Sequence, residues 1–248
     1  MGDSVDIVDV NTLFGPLLVA STDLNVDALA ALMQKHNIAA ACTLSTLGLL
    51  LDPALGNAAT RAACAQYAGL LPVATLNPAT FFGDTAAQQQ LQKDDFCLIR
   101  FFPHAQGWPV EFGPFHTLLH AIAPLGLPIM VGIETPGEIT ALTRVLETYP
   151  APVILSGVSL STLAEAVLAL QERDRWHVEI SRLLAPGAIR QVADIAGADR
   201  LLFGTGAPSQ PIAGVLATLQ HAGLSEEARR QVLAANARRI LQNSSPSP

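Results

Sequence analysis

The chain has 248 residues, enough for one large domain, and half of them are hydrophobic while only 14% are charged. This composition favours a fold with a buried parallel sheet. The net charge of −7 and the absence of Lys/Arg clusters argue against a nucleic-acid partner, and no apolar run reaches the roughly 20 residues of a membrane span. The three cysteines lack metal-ligand or disulfide-framework spacing and no signal peptide is evident, so we predict a cytoplasmic protein without membrane contact.

Short apolar runs alternate with helical patterns along the chain, which predicts repeated strand–helix units and a parallel sheet. Eight units of this kind close a (β/α)8 barrel, so we predict a single α/β domain of this architecture over residues 1–242. An open doubly wound sheet shows the same alternation and remains the alternative. The predicted strands cover residues 5–10, 38–44, 71–76, 96–102, 127–133, 152–155, 176–180 and 200–203.

An extra helix is predicted after the eighth unit, over residues 225–241. Ser225 is a suitable N-cap, and Glu226 and Glu227 place acidic side chains in the first turn. The apolar positions of this helix are expected to pack against the barrel. The last six residues, NSSPSP, predict a disordered tail over 243–248.

The segment at 198–208, ADRLLFGTGAP, is typical of a short buried strand that ends in Gly-Thr-Gly, and a helix and the pattern SEEARRQVLAANARRIL follow it. This arrangement resembles the closing segment of the type-2 amidohydrolases, TIM barrels in which the last strand ends in Gly-Ser-Asp. Thr205 stands at the family's Ser, and Gly206 stands at its metal-binding Asp.

Other strand ends show the same resemblance. The first strand, VDIVDVNTLFG, resembles the family's Asp-x-His-x-His motif, with Asp9 at the acid and Asn11 and Leu13 at the two histidines. LPIMVGIE and PVILSGVS resemble family strands that end in His, and Gly132 and Ser156 stand at those positions. Leucine and glycine side chains cannot ligate a metal, and an amide is a poor zinc ligand. The resemblance therefore implies an amidohydrolase-like barrel with a degenerate metal site, without a bound metal or another cofactor.

Polar side chains at the predicted strand ends are the remaining candidates, because (β/α)8 barrels carry their working residues there. In WHVEIS, Glu179 and Ser181 share the strand face opposite Val178, which points them into the barrel mouth. Glu179 and His104 are the candidate catalytic groups, since a carboxylate and an imidazole can each transfer protons. The candidate substrate-binding residues are Arg100, Asn11, Ser156, Ser181 and Thr205.

Arg100 interrupts the apolar strand CLIRFFPH, and a buried arginine requires an anionic partner. Two partners remain open: an internal carboxylate, either Asp9 or Glu179, or the anion of a ligand.

Three functions are compatible with these residues. The first is an amidohydrolase-like hydrolase, or a related lyase, that acts on a small carboxylated substrate without a metal. The second is a non-catalytic barrel that binds a small ligand or partner in the old pocket. The third is a phosphate-binding barrel that uses the backbone of Gly204, Thr205 and Gly206. In each case the expected partner is a small carboxylate or other anion, and a homo-oligomer is compatible with the sequence.

Overall fold

The computed structural model describes residues 6–16, 24–83 and 86–242. The predicted disordered tail, 243–248, lies outside these residues, and so does the first residue of the first predicted strand. Within the described residues, no helix combines the length and the apolar character needed to cross a membrane.

Eight parallel strands, ordered from β1 to β8, form one sheet. The first strand meets the segment directly after the last strand through three backbone hydrogen bonds. They run from Val10 N to Phe203 O at 2.9 Å, from Leu13 N to Ala207 O at 2.8 Å and from Gly206 N to Asn11 O at 2.8 Å. The protein is therefore a single-domain (β/α)8 barrel, as predicted, rather than an open doubly wound sheet. The strands are β1 (Ile7–Phe14), β2 (Ile38–Ser45), β3 (Leu70–Thr75), β4 (Leu98–Phe101), β5 (Ile129–Gly132), β6 (Val153–Ser156), β7 (Trp176–Glu179) and β8 (Leu201–Leu202).

Helices connect the strands on the outside of the barrel. They are α1 (Val26–Lys35), α2 (Leu47–Leu50), α3 (Pro53–Cys64), α4 (Ala86–Lys93), α5 (Pro103–Gln106), α6 (Gly113–Ile122), α7 (Glu138–Val145), α8 (Leu163–Glu172), α9 (Pro186–Ala196), α10 (Ile212–Gln220), α11 (Glu226–Arg230) and α12 (Asn236–Gln242). Short 3-10 turns cover Pro78–Thr80, Ala123–Leu125 and Ala198–Arg200. Helix α3 begins at Pro53, because Asp52 caps it and proline suits the first turn of a helix.

Alternating strand residues divide the apolar side chains into two clusters. One set packs between the strands and the helices, as Val178 of β7 does, which confirms the face predicted for that residue. The other set fills the barrel and includes Leu98, Met130 and Ile154. Ala237 of α12 belongs to this inner cluster, so the C-terminal helix closes the barrel at the N-terminal ends of the strands.

Strand β1 runs four residues further than the sequence pattern indicated, because it pairs with β2 as far as Phe14 and Ser45. The pairing register shifts between Asp9 and Thr12. Val10 and Asn11 both lie within this irregular segment. Val10 belongs to the inner apolar cluster, whereas Asn11, the next residue, lines the cavity at the barrel mouth. A bulge of this kind redirects side chains, and here it turns Asn11 toward the mouth.

The predicted C-terminal helix is present, with a wider π-helical turn at Gln231–Ala235 between α11 and α12. The carbonyl of Val232, within this turn, accepts a hydrogen bond from Phe203 N at 3.0 Å. The side chain of Asn236 is buried and donates to Ala198 O and Leu201 O, both at 2.9 Å. These contacts attach the C-terminal helix to the segment around β8.

Replacing Asn236 by Ala should destabilise the protein by about 1–3 kcal/mol, because the buried carbonyl of Leu201 loses its donor. Urea denaturation measures the free energy of unfolding. Arg238→Ala is the matched control on the same helix; its exposed ion pair with Asp6 should contribute at most about 1 kcal/mol. Equal unfolding free energies for the two variants would contradict the attachment role of Asn236.

Candidate functional site

A cavity of about 490 Å³ opens at the C-terminal ends of the strands. In (β/α)8 barrels this is the end that carries ligand sites. Leu13, Phe102 and Ile133 form apolar walls, and the polar lining comes from the ends of several different strands. The polar lining side chains are Asn11, Arg100, Glu134, Ser156, Ser159, Ser181, Arg182, Ser209 and Gln210.

Glu179, at the end of β7, lies beneath the cavity and is fully buried. Its Oε1 accepts hydrogen bonds from Ser156 Oγ at 3.0 Å, Gly157 N at 3.0 Å and Ser181 Oγ at 2.9 Å. Its Oε2 accepts from Ser181 N at 2.9 Å. The carboxylate therefore reaches the cavity only through the two serine hydroxyls, which donate to it.

Asp9 forms a second buried group that joins β1 to the segment after β8. Its Oδ1 accepts from Asn11 N at 3.0 Å and Thr205 N at 2.9 Å, and its Oδ2 accepts from Thr205 Oγ1 at 2.6 Å. Burial raises the pKa of the Asp9 carboxyl from 3.8 to about 7, although these donors oppose the shift. Thr205 is thus brought to the site as a support for Asp9, and its side chain does not line the cavity.

Asn11 is 3% exposed and lies between the cavity and the serine–glutamate group. Its Nδ2 donates a long hydrogen bond to Ser156 Oγ, at 3.4 Å. Its Oδ1 has no hydrogen-bond partner among the described residues. A buried amide oxygen without a donor costs free energy of folding.

Arg100, on β4, is 9% exposed and lines the same cavity. In the described part of the chain, no carboxylate lies within ion-pair distance of its guanidinium, and its Nε has no partner. The guanidinium carbon lies 4.5 Å from the ring centroid of Phe102, a cation–π contact. Burial lowers the pKa of Arg100 to about 10, while the charges of Glu179 and Asp9 act in the opposite direction.

The two alternative partners of Arg100, an internal carboxylate and the anion of a ligand, are therefore not equally supported. Neither Asp9 nor Glu179 forms the direct internal ion pair, since both carboxylates are occupied by hydroxyl and backbone donors. They act on Arg100 only as nearby charges. An arginine remains fully ionised at neutral pH even with a pKa of about 10, so the guanidinium presents a positive charge to the cavity.

His104 lies apart from the other predicted site residues, in the one-turn helix α5. Its Nε2 is 2.5 Å from Glu138 Oε1, and its Nδ1 is 3.6 Å from Glu134 Oε2. The ring is 36% exposed and does not line the cavity, although Glu134 does. The structure thus brings Asn11, Arg100, Ser156 and Ser181 together at the cavity, with Glu179 and Thr205 beneath them.

Several residues that line the cavity were not predicted from the sequence. Arg182 adds a second guanidinium, Glu134 adds a carboxylate, and Gln210 adds an amide. Arg182 was predictable in the same way as Ser181. It lies three residues past the end of β7, and (β/α)8 barrels carry their functional residues at the C-terminal ends of the strands. Gln210 lies eight residues past β8, and only the folded loop brings it to the mouth.

The backbone of the Gly-Thr-Gly segment is engaged by internal acceptors. Thr205 N donates to Asp9 Oδ1, and Gly206 N donates to Asn11 O at 2.8 Å. A phosphate cradle needs converging amides that are free to donate. A Cβ on Gly204 would lie 2.6 Å from Glu179 Oε2, so this glycine is required for close approach to the carboxylate.

The strand ends that resemble the family's metal-ligand positions carry a poor set of donor atoms. Leu13, Gly132 and Gly206 have no ligating side chain, and Ser156 and Asn11 offer only a hydroxyl and an amide. Among the residues that the structure describes, no group of three or more His, Cys, Asp or Glu side chains is arranged to hold a metal.

Asp9 gives the site a testable pH dependence. Because its folded pKa is raised to about 7, the folded protein retains a proton that the unfolded chain releases above about pH 4. Its contribution to stability is present below the unfolded pKa and is lost as the pH rises to about 7. In Asp9→Asn the amide keeps both backbone bonds and donates to Thr205 Oγ1. We expect wild type to lose stability relative to this variant by at most about 1.4 kcal/mol per pH unit over this window.

Unfolding free energies of both proteins from pH 4 to pH 8 measure this difference. Burial lowers the pKa of His177 to about 4, so its contribution has the opposite slope, but it cancels because both proteins retain His177. A stability difference that does not vary with pH would show that Asp9 titrates normally.

Solved structures with the same fold cover nearly the whole chain. An uncharacterised TIM-barrel protein from Bordetella bronchiseptica has a TM-score of 0.79 and 17% identity, covering 97% of this chain and 99% of its own. A putative 2-pyrone-4,6-dicarboxylic acid hydrolase from Pseudomonas putida has a TM-score of 0.77 and 17% identity, covering 98% and 100%. A 2,6-dihydroxybenzoate decarboxylase from Rhizobium has a TM-score of 0.76 and 15% identity, covering 98% and 100%. At these identities the likeness shows a shared fold.

No curated protein matches the sequence. The family model described as Amidohydrolase, the type-2 amidohydrolase family, matches residues 51–242. This match covers most of the chain and includes the six strands from β3 to β8 and the C-terminal helix. The chain therefore belongs to the type-2 amidohydrolase family.

Proposed function

We propose that this protein is a metal-independent hydrolase, or a related lyase, that acts on a small carboxylated substrate at the barrel mouth. The observation that carries the proposal is Arg100, a buried guanidinium in the cavity without a carboxylate at ion-pair distance among the described residues. A buried charge requires an anion, and a ligand carboxylate supplies it.

Arg100 suits this role because a guanidinium binds a carboxylate through two parallel hydrogen bonds. Its contact with the Phe102 ring limits the orientations of the planar group. The apolar walls at Leu13 and Ile133 can contact the carbon frame of the substrate, and Arg182 adds positive charge at the same cavity.

The absence of a metal is part of the proposal. A metal in this mouth would meet the amide of Asn11 and the hydroxyl of Ser156 rather than imidazoles. Asp9, the one family acid that remains, already accepts three hydrogen bonds. Arg100 would also repel a divalent cation. The residues therefore do not fit a metal ion, and the metal site of the family is degenerate in this chain.

Glu179 would act on the substrate through the serine hydroxyls. Ser156 lines the cavity and donates its proton to Glu179 Oε1. When Ser156 accepts a proton from the substrate or from an attacking water, or itself attacks, its own proton can pass to the carboxylate. Glu179→Gln is a poor test, because each carboxylate oxygen accepts a backbone N–H and an amide nitrogen would oppose one of them. Ser156→Ala is the informative variant.

The names of the similar structures support a carboxylated substrate. One is a decarboxylase of 2,6-dihydroxybenzoate, and another is a putative hydrolase of 2-pyrone-4,6-dicarboxylic acid. Each name describes a ring compound that carries a carboxylate, and a ring suits the apolar walls of the cavity. His104 has no part in this proposal, because its ring is paired with Glu138 outside the cavity.

The second candidate is a barrel that binds a small ligand without catalysis. The apolar Leu13 at a strand end of the mouth favours it, since family activity relies on a histidine there. Turnover of carboxylated aromatic acids and lactones by purified protein, lost in Ser156→Ala, supports the enzyme. Saturable binding of the same compounds without turnover supports the binding protein. A cytoplasmic location and a homo-oligomeric state remain predictions from the sequence.

The first expected result concerns the metal. Purified protein should contain far less than one zinc or manganese per chain, because the donor set at the strand ends favours neither ion. Elemental analysis measures this content, and any turnover should persist after treatment with a chelator. About one equivalent of either metal, with activity lost on chelation, would contradict metal-independent action.

The second expected result concerns Arg100. Arg100→Lys should weaken the binding of benzoate or another carboxylate at least about tenfold, or roughly 1.4 kcal/mol, because an ammonium cannot form the paired hydrogen bonds. The melting temperature should change little, since no internal ion pair is lost. Arg190→Lys, on the exposed surface, is the control and should retain binding. A large fall in melting temperature with unchanged carboxylate affinity would make Arg100 a structural residue.

A further inference from the structure

Helix α6 carries two histidines on the face that points away from the barrel. His116 and His120 are both exposed, and they stand four positions apart, so their side chains are neighbours on the helix surface. The opposite face of the helix belongs to the apolar cluster between the strands and the helices through Phe115, Leu118, Leu119 and Ile122. Because this packed face anchors the helix, the backbone holds the two histidines at a fixed separation.

The two imidazole rings contact each other and no other polar group. Their centroids lie 4.8 Å apart, and their planes are inclined at 85°. In the part of the chain that the structure describes, neither ring forms a hydrogen bond or an ion pair. A neutral imidazole has one nitrogen with which it can bind a metal ion, and in both rings this nitrogen is therefore available.

The separation of the rings matches that of two ligands on one metal ion. An imidazole nitrogen binds zinc at about 2.0–2.1 Å and lies about 1.2 Å from the centre of its own ring, so the ion would stand about 3.2 Å from each centroid. Two centroids 4.8 Å apart would then subtend an angle of about 97° at the ion. This angle lies between the values of a square-planar and a tetrahedral site. Rotation of the two exposed rings is enough to direct one nitrogen of each at the same point.

We propose that His116 and His120 together bind one divalent transition-metal ion on the outside of the barrel. Imidazole suits copper, nickel and zinc, with copper bound most tightly, whereas magnesium and calcium prefer oxygen ligands. Residues 103–128, which include α6 and both flanking segments, contain no lysine or arginine that would repel a cation.

The chemistry of this site is binding rather than hydrolysis. The same histidine spacing places two ligands on one zinc ion in the His-Glu-x-x-His helix, where the glutamate acts as general base. Thr117 stands at the position of that glutamate. The pair therefore has the two metal ligands of the motif without its catalytic group.

The histidine pair is separate from the barrel mouth, and the proposal does not depend on the proposed function. Neither histidine lines the cavity at the C-terminal ends of the strands. Two protein ligands leave the other coordination positions of the ion to water, whereas stable structural sites use four protein ligands. The ion should therefore exchange readily and be removed by dialysis, so the metal content expected of the purified protein is unchanged.

The test titrates untagged protein with Ni²⁺, Cu²⁺ and Mg²⁺ by calorimetry. We expect one Ni²⁺ per chain, tighter binding of Cu²⁺ and no binding of Mg²⁺. Saturating Ni²⁺ should also raise the melting temperature, because the ion binds the folded helix and not the unfolded chain. Absence of Ni²⁺ binding at millimolar concentration would overturn the proposal.

Variants of α6 test whether both rings hold the ion. His116→Gln and His120→Gln should each weaken Ni²⁺ binding at least about tenfold, because a chelate becomes a single ligand. Thr117→His combined with His120→Gln keeps two histidines but places them at adjacent positions, which do not face each other, and should bind as weakly as His120→Gln. These side chains are exposed, so the melting temperature without metal should change little.

Two other histidines provide the controls. His104→Gln removes a ring that lies beside Glu134 and Glu138, and His221→Gln removes a single exposed ring at the end of α10. Both variants should bind Ni²⁺ as the wild type does. Unchanged affinity in both His116→Gln and His120→Gln would overturn the proposal, and loss of binding in His104→Gln would place the ion at that group of carboxylates instead.

Discussion

The carboxylate of Glu179 is the interaction on which the geometry of the barrel mouth depends. It accepts four hydrogen bonds from the ends of β6 and β7, and its Oε2 lies 2.6 Å from the position that a Cβ on Gly204 would occupy. One fully buried side chain thus connects three neighbouring strand ends. Satisfied buried networks of this kind hold their members in one arrangement. The serine hydroxyls consequently point inward to Glu179, and the amide of Asn11 is oriented through Ser156.

The register shift in β1 places Asn11, which donates a hydrogen bond to Ser156 of this network, at the wall of the cavity. Without the register shift between Asp9 and Thr12, the strand alternation that places Val10 in the inner cluster would turn Asn11 away from the mouth. Asp9 stabilises the irregular segment by accepting the N–H of Asn11. It also binds Thr205, so the position of Asn11 depends on the closure of β1 against the segment after β8.

The barrel could be predicted from the sequence because the alternation of apolar runs and helical patterns is a local property. Eight such strand–helix units commonly close into a (β/α)8 barrel. The sequence also identified Ser181 and Arg100, whose strand positions determine their direction. It did not predict that β1 continues to Phe14, because that extension results from pairing with β2. Long-range contacts likewise decide that His104 pairs with Glu138 and that Gln210 returns to the cavity.

Charge balance links the buried carboxylates to any anion that binds. Arg100 is the cation that the charges of Glu179 and Asp9 both stabilise. The pKa of Asp9 is about 7, so near neutral pH this group gains or loses its proton at little cost. A ligand carboxylate on Arg100 would add a negative charge near both buried acids. This charge would favour protonation of Asp9. Oδ1 of Asp9 accepts the N–H of Asn11, and a proton on Oδ2 would leave this hydrogen bond in place. If the proposed anionic ligand binds here, its binding would therefore favour uptake of a proton by Asp9.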